Sequence, residues 1–232
     1  MRDILLQSST WGTVLTLAVY ALFFCLQRKT KKVWCNPLLM STVLIGAFLL
    51  AARIPYRDYK SSSAVISWLL LPATVSLALP MHEQWNLLRK NWPAVLLGIL
   101  AGVVTSLLCI VLLYVLFHLD ASVAASLLPK SVTTAVGSDI SAALDGIPAL
   151  TVIVIILTGI AGNLMAPWLC RLFRLKHPVA RGIAIGSCSH AIGTARAIEM
   201  GETEGAMSSL AIVLAGVLTA FLAPAAARLF LH

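Results

Sequence analysis

Ionisable and hydroxyl side chains are concentrated in residues 182–205, a stretch that lies between apolar segments. Its polar side chains belong to Ser187, Ser189, His190, Thr194, Arg196 and Glu199. An ionisable side chain at membrane depth is costly unless it faces protein or water, so a lipid-facing helix has no use for this set. Five glycines also interrupt the stretch and predict a broken backbone. We therefore interpret residues 182–205 as half of a polar site within a membrane protein.

A second stretch of the same character, residues 126–146, provides the other half. Pro129 and Gly137 are expected to break its helix. Its polar side chains belong to Lys130, Ser131, Thr133, Thr134, Ser138 and Asp139.

The chemistry predicted for the two stretches is the binding of a small organic anion. Broken helix ends present unpaired N–H groups and partial positive charge. Lys130 and Arg196 add full charges, and a guanidinium can bind a carboxylate in a bidentate manner. Hydroxyls can bind a keto or hydroxyl oxygen of the anion. The predicted substrate-binding residues are Lys130, Ser131, Thr133, Thr134, Asn163, Ser189, His190, Gly193, Thr194 and Arg196.

A coupling proton has three candidate carriers, Asp139, His190 and Glu199, of which His190 changes charge near neutral pH. The alternative is that Asp139 pairs with Lys130 and Glu199 with Arg196, which would merely neutralise buried charge. Asn163, midway along an apolar span, either lines the cavity or packs against it.

Composition places these residues in an all-α, polytopic membrane protein. Apolar residues make up 59% of the 232 and charged residues 11%, and the mean hydropathy is +0.93. The net charge of +8 lies in short loops and lacks a basic helix face, so nucleic acid is not an expected partner. The five cysteines show no CxxC spacing and are interpreted as apolar fillers. No metal or cofactor is expected.

Hydropathy predicts about six full spans. They cover residues 10–27, 37–52, 62–80, 93–117, 147–169 and 206–227. Basic residues 28–32 predict a cytoplasmic loop after the first span and argue against a cleavable signal peptide. Residues 53–60 are expected as an outer loop and residues 82–92 as a cytoplasmic one. Gly98 and Gly102 form a small-xxx-small pattern that favours packing within the chain over a subunit interface.

An internal repeat divides the chain into residues 1–120, a four-span half, and residues 121–232, with repeat units 121–176 and 177–232. Gly137 aligns with Gly193 at an offset of 56, and Pro167 with Pro224 at an offset of 57. If both polar stretches are re-entrant hairpins, ten cations lie inside and five outside, which satisfies the positive-inside rule. One full crossing per unit then inverts the second unit, as in secondary transporters.

Four phrases of the sequence resemble the LrgB/CidB family of membrane proteins. They are residues 128–134, 146–150, 159–163 and 189–197. The resemblance implies a bacterial inner-membrane protein that carries glycolate, glycerate or pyruvate-like monocarboxylates, because the plastidial glycolate/glycerate translocator contains a similar domain. It also implies an alternative, an antiholin-like regulator of murein hydrolase activity and lysis. A small LrgA-type subunit is the implied partner, and a homo-oligomer stays open.

Two further expectations concern the chemistry and the first hairpin. The sequence lacks a His-Glu-x-x-His helix and a Gly-x-Ser-x-Gly elbow, so an enzyme is not expected. Relatives often have proline after the Thr-Thr pair, where this chain has Ala135, so the break of the first hairpin is expected to depend on Gly137.

Overall fold

The structure, a computed structural model, describes residues 9–30, 37–76, 78–83 and 85–231. All regular structure in these residues is helical, which confirms the all-α prediction. The helices are α1 (Trp11–Thr30), α2 (Pro37–Ala51), α3 (Tyr56–Ser62), α4 (Ala64–Ser76), α5 (Ala78–Glu83), α6 (Trp85–Phe117), α7 (Ala121–Leu127), α8 (Thr134–Ala143), α9 (Pro148–Leu172), α10 (Pro178–Met200) and α11 (Glu202–Phe230).

Four of the described helices are long and apolar enough to cross a membrane. They are α1, the part of α6 from Arg89 to Phe117, α9 and α11. The second predicted span falls on α2, which is apolar but only 15 residues long. The third falls on α4 and α5, of which α4 has 13 residues with Pro72 inside. The chain is thus a multi-pass membrane protein by helix length and composition.

The chain forms two compact units, residues 1–76 and 77–232. In the first, Tyr59 and Ser62 of α3 bind α1: the Tyr59 and Thr16 hydroxyls are 2.7 Å apart, and Gly12 N donates to Ser62 Oγ at 3.2 Å. These hydrogen bonds to α1 stabilise residues 56–62 as a helix, although residues 53–60 were predicted as a loop. The predicted division into residues 1–120 and 121–232 is based on the internal repeat and not on compactness, and it stays a prediction.

Helix α10 folds back on itself at His190. His190 has φ 42° and ψ −144°, outside the helical region. Before it, Gly182 and Gly186 pack against the carbonyls of Glu204 and Ser208, so this limb runs parallel to α11. After it, Thr194 bonds to Ser208 and Ile198 packs on Gly205, so the chain runs the opposite way. We call residues 178–200 the second hairpin and residues 189–190 its tip.

The predicted break of the backbone in residues 182–205 is confirmed, although the glycines within the second hairpin do not form it. The break occurs at His190, whereas Gly182 and Gly186 lie within helical backbone. A Cβ at Gly182 would lie 2.5 Å from the Glu204 carbonyl oxygen. These glycines therefore allow close approach to α11 rather than a turn.

Residues 121–143 form a first hairpin of similar design. Its limbs are α7 and α8, and its tip is the non-helical segment 128–133. Thr151 of α9 ties the limbs together, since its hydroxyl donates to Ser126 O at 2.9 Å and lies 2.8 Å from Ser141 Oγ. Further along, Gly137 packs against Ile155, so α8 runs antiparallel to α9.

Gly137 does not break the first hairpin, contrary to expectation. It lies inside α8 and leaves room for the Ile155 side chain. The break instead contains Pro129, which lacks the N–H that would continue α7. The missing proline after the Thr-Thr pair therefore does not remove the break.

Helix α9 connects the two hairpins. The limbs of the first hairpin contact α9 at Thr151, and its tip lies near Ile155 of α9. In the second hairpin, Ile185 of one limb and Ala197 of the other pack with Ala166 and Cys170 of α9. The tip of this hairpin lies against Gly159 and Gly162 of α9. The hairpins thus approach from opposite ends of α9, and their tips meet over its middle.

Helix α6 covers the second hairpin from another side. A Cβ at Gly98 would lie 3.5 Å from Ile183, and one at Gly102 would lie 3.1 Å from Ser187 Oγ. The small-xxx-small pattern therefore packs within the chain, as predicted. Residues 85–92 also belong to α6, so the loop predicted over 82–92 is largely helical, because its Leu, Arg and Lys residues favour helix.

Candidate functional site

The tip of the first hairpin presents a cation held by hydroxyls. Lys130 Nζ donates to Ser131 Oγ at 3.1 Å, and Ser131 Oγ lies 3.2 Å from Ser106 Oγ of α6. Ser131 is buried and Lys130 is partly buried. Ion pairs between side chains in the described part of the chain are Arg181–Glu204 and Arg196–Glu199, so none of them neutralises Lys130. Lys130 is thus held by hydroxyls and takes part in neither of these ion pairs.

The tip of the second hairpin holds a buried imidazole. His190 is 3% exposed, and its Nε2 lies 2.8 Å from the Ile155 carbonyl oxygen. Because a carbonyl only accepts, Nε2 carries the hydrogen and Nδ1 is the nitrogen that would take up a proton. The ring lies over Gly159, where a Cβ would be 2.6 Å from Cε1. Of the three candidate proton carriers, His190 is the one buried at a tip.

Four other predicted residues hold the second tip in place. Ser189 packs directly on Gly162, and Asn163 Nδ2 donates to the Ile192 carbonyl at 2.9 Å. Thr194 donates to the His190 carbonyl at 3.0 Å, and its hydroxyl lies 2.6 Å from Ser208 Oγ. Gly193 is buried against Ile185 of the other limb. These polar groups are engaged within the protein.

Arg196 forms an ion pair with an acidic neighbour on the same helix. Its Nη1 lies 2.5 Å from Glu199 Oε2, with the side chains 32% and 61% exposed. This is the neutralising pair that the sequence offered as an alternative. The companion pair between Lys130 and Asp139 is not found: Lys130 bonds to Ser131, and Asp139 is exposed. Asp139 and Glu199 are therefore more exposed than a buried proton relay requires.

The structure gathers most of the predicted site residues around the middle of α9. Thr133 is the last residue of the first tip and Thr134 the first residue of α8, and both are partly buried. No group of three His, Cys, Asp or Glu side chains with metal-binding geometry occurs among the residues that the structure describes.

Three groups of the site were missed by sequence reasoning. Ser106 continues the spacing of Gly98 and Gly102 by one helical turn, so the pattern contained that signal. Ser208 corresponds to Thr151 at the repeat offset of 57, and each bonds a hydroxyl of its own hairpin. The Ile155 carbonyl leaves no trace in a sequence.

The LrgB-like family model matches residues 16–229, a range that includes both hairpins. The chain belongs to the LrgB-like family. The predicted family is thereby confirmed.

Curated relatives of this LrgB-like chain match it over nearly its whole length. The antiholin-like protein LrgB of Bacillus subtilis (strain 168) is 35% identical over 94% of each chain, and the uncharacterized protein YxaC of the same strain is 35% identical with the same coverage. The antiholin-like protein LrgB of Bacillus cereus (strain B4264) is 34% identical over 92% of this chain and 94% of its own. No solved structure matches.

Proposed function

We propose that this LrgB-like chain is a secondary transporter of small monocarboxylates, such as glycolate, glycerate or pyruvate, in the bacterial inner membrane. The substrate is held between the tips of the two hairpins. The observation that carries the proposal is the meeting of two polar helix breaks over the middle of one membrane-length helix. In secondary transporters, binding sites form at such breaks near the bilayer midplane. An enzymatic activity is not part of the proposal.

The proposed topology has six spans and two re-entrant hairpins in an inverted repeat, 121–176 and 177–232. Limb length supports re-entry: α7 and α8 have 7 and 10 residues, about 10 and 15 Å, against a hydrocarbon core of about 30 Å. Non-helical backbone at such depth needs protein around it. Leu128 and Val132 in the first tip and His190 in the second are buried accordingly.

Lys130 is the proposed anchor for the substrate carboxylate. Its ammonium is bound by a hydroxyl, which competes with an anion far less than a carboxylate does. Arg196 is already paired with Glu199, so we assign it the weaker role. His190 is the proposed proton carrier, because its Nε2 is bonded and Nδ1 remains as the protonation site.

A second candidate function is an antiholin-like regulator of murein hydrolase activity and lysis. The names of the relatives from Bacillus subtilis and Bacillus cereus favour it over a carboxylate substrate. A small LrgA-type subunit, or a second copy of this chain, is the partner that this function would engage. Such a regulator acts by gating a partner or forming lesions and does not require a charged residue at a hairpin tip.

Uptake by liposomes separates the two functions. Purified protein should give saturable uptake of labelled glycolate, glycerate or pyruvate. Lys130→Gln should abolish that uptake, because the anchor charge is lost. Lys176→Gln, which removes an exposed cation of the loop before the second hairpin, should leave it unchanged. Absence of saturable uptake by the wild type, together with altered lysis of a deletion strain, would favour the regulator.

Labelling of single cysteines tests the topology. With re-entrant hairpins, a cysteine at Asp145, after the first hairpin, reacts from outside, and one at Glu202, after the second, reacts from the cytoplasm. With full crossings both react from the cytoplasm. Both positions are exposed, and the substitutions are made in a cysteine-free background.

A further inference from the structure

A groove that has not yet been assigned a function lies between the start of α6 and the first half of α11. Its volume is about 300 Å³. Its lining residues are Trp85, Arg89, Trp92, Val95, Leu96, Leu210 and Leu214. None of these residues belongs to the hairpin tips.

The α6 side of this groove follows a single helix face. Trp85, Arg89, Trp92 and Leu96 are spaced by four, three and four residues, which places them on one stripe. Val95 and Leu210 at the bottom are 1% and 9% exposed, whereas the Trp85 and Trp92 rings are 53% and 57% exposed. The groove therefore has an apolar floor and an aromatic rim.

Among the described lining residues, Arg89 is the one that carries a charge, and it lines the groove with its apolar stem. It lies four residues before Pro93, where the uninterrupted apolar part of α6 begins, so it lies at the boundary of the apolar segment. An arginine stem can cover apolar surface while its guanidinium stays at the polar boundary. Tryptophan is typical of the same depth, where its ring is apolar and its N–H can donate.

We propose that the groove binds an anionic phospholipid, with part of an acyl chain between Leu96, Leu210 and Leu214 and the phosphate on Arg89. A volume of about 300 Å³ is at the lower end of small-molecule sites, so it takes part of one chain rather than a whole lipid. A basic residue near the membrane surface favours anionic over zwitterionic lipid. The proposal does not depend on the substrate of the transporter.

Native mass spectrometry of the full-length protein with added phosphatidylglycerol or phosphatidylcholine tests the proposal. Wild-type protein should retain phosphatidylglycerol preferentially, and Arg89→Gln should lower its retention about five-fold. Lys90→Gln is the matched control, because it removes the neighbouring charge from a residue that does not line the groove. Leu214→Trp, which fills the groove and keeps Arg89, should also release the lipid.

Three results would overturn the lipid site. They are equal loss in Lys90→Gln and Arg89→Gln, equal retention of phosphatidylcholine and phosphatidylglycerol, and unchanged retention in Leu214→Trp. A photoreactive residue at Leu96 identifies the occupant in membranes. Adducts of lipid mass support the proposal, and a discrete protein adduct refutes it.

Discussion

Replacing Gly159 by alanine tests the contact on which the meeting of the two tips depends. A Cβ at this position would lie 2.6 Å from His190 Cε1, 2.8 Å from His190 Nε2 and 2.9 Å from Ile192 Cβ. Carbon atoms prefer about 3.5–4.0 Å, so all three contacts are too short. The imidazole cannot retreat without breaking its 2.8 Å hydrogen bond to the Ile155 carbonyl.

The expected loss of stability follows from three contributions. Overpacking costs about 1–3 kcal/mol, and loss of the hydrogen bond costs about 1 kcal/mol. Replacing a helical glycine by alanine returns about 1 kcal/mol. The net loss is about 1–3 kcal/mol, and at about 2–4 °C per kcal/mol for a chain of this size the melting temperature should fall by about 2–12 °C.

Gly216→Ala is the matched control, since Gly216 aligns with Gly159 in the repeat and, beyond its own turn of helix, no atom of the described residues would lie within 4 Å of its Cβ. Its melting temperature should stay the same or rise slightly. Thermal unfolding in detergent, followed by tryptophan fluorescence at one fixed scan rate, measures both. An unchanged melting temperature in Gly159→Ala, or an equal fall in Gly216→Ala, would refute the packing of His190 on α9.

Three other substitutions test the remaining contacts. His190→Gly should melt about 2–4 °C above His190→Ala, because glycine relieves the φ of 42° and both variants lose the imidazole; equal melting would show that the backbone is not strained. Arg181→Gln should lower the free energy of unfolding by about 1–3 kcal/mol, because Glu204 is 6% exposed and loses its partner at 3.4 Å; adding Glu204→Gln should recover part of that loss, and no recovery would argue against a buried charge. Lys130→Gln should impair uptake in liposomes more than Arg196→Gln, because Glu199 already occupies Arg196; the reverse order would return Arg196 to the centre of the site.

Sequence reasoning located both polar breaks and identified Pro129 in the first, but it also assigned breaks to glycines that are helical. Glycine at Gly137, Gly182 and Gly186 was interpreted as freedom to turn. In the structure these residues are helical and serve as gaps for Ile155 and for the α11 backbone. A glycine can allow unusual backbone dihedral angles or the close approach of another atom, and only its neighbours in the fold show which of the two applies. The break at His190 has no local signal, because it depends on a bond to α9.

The role of Arg196 illustrates a choice that the sequence leaves open. Its spacing of three residues from Glu199 predicts an ion pair on a helix, and the same charge at a hairpin predicts an anion site. The structure contains the ion pair. Lys130 also had an acidic candidate partner, Asp139, yet its contact is to the Ser131 hydroxyl. Side-chain geometry therefore distinguishes Lys130, which contacts a hydroxyl, from Arg196, which contacts a carboxylate.

The sequence by itself determined the family, the helical class, four of the six predicted membrane-length helices and the position of two polar segments. These properties depend on composition, local periodicity and motifs, which are contained in short stretches of chain. The inverted repeat had already predicted hairpins that enter from opposite faces. Only the tertiary structure decided that both lie along α9 and that Ile155 contacts both, with its side chain on Gly137 and its carbonyl on His190. Contacts between residues so far apart depend on how the helices pack, and no local pattern encodes them.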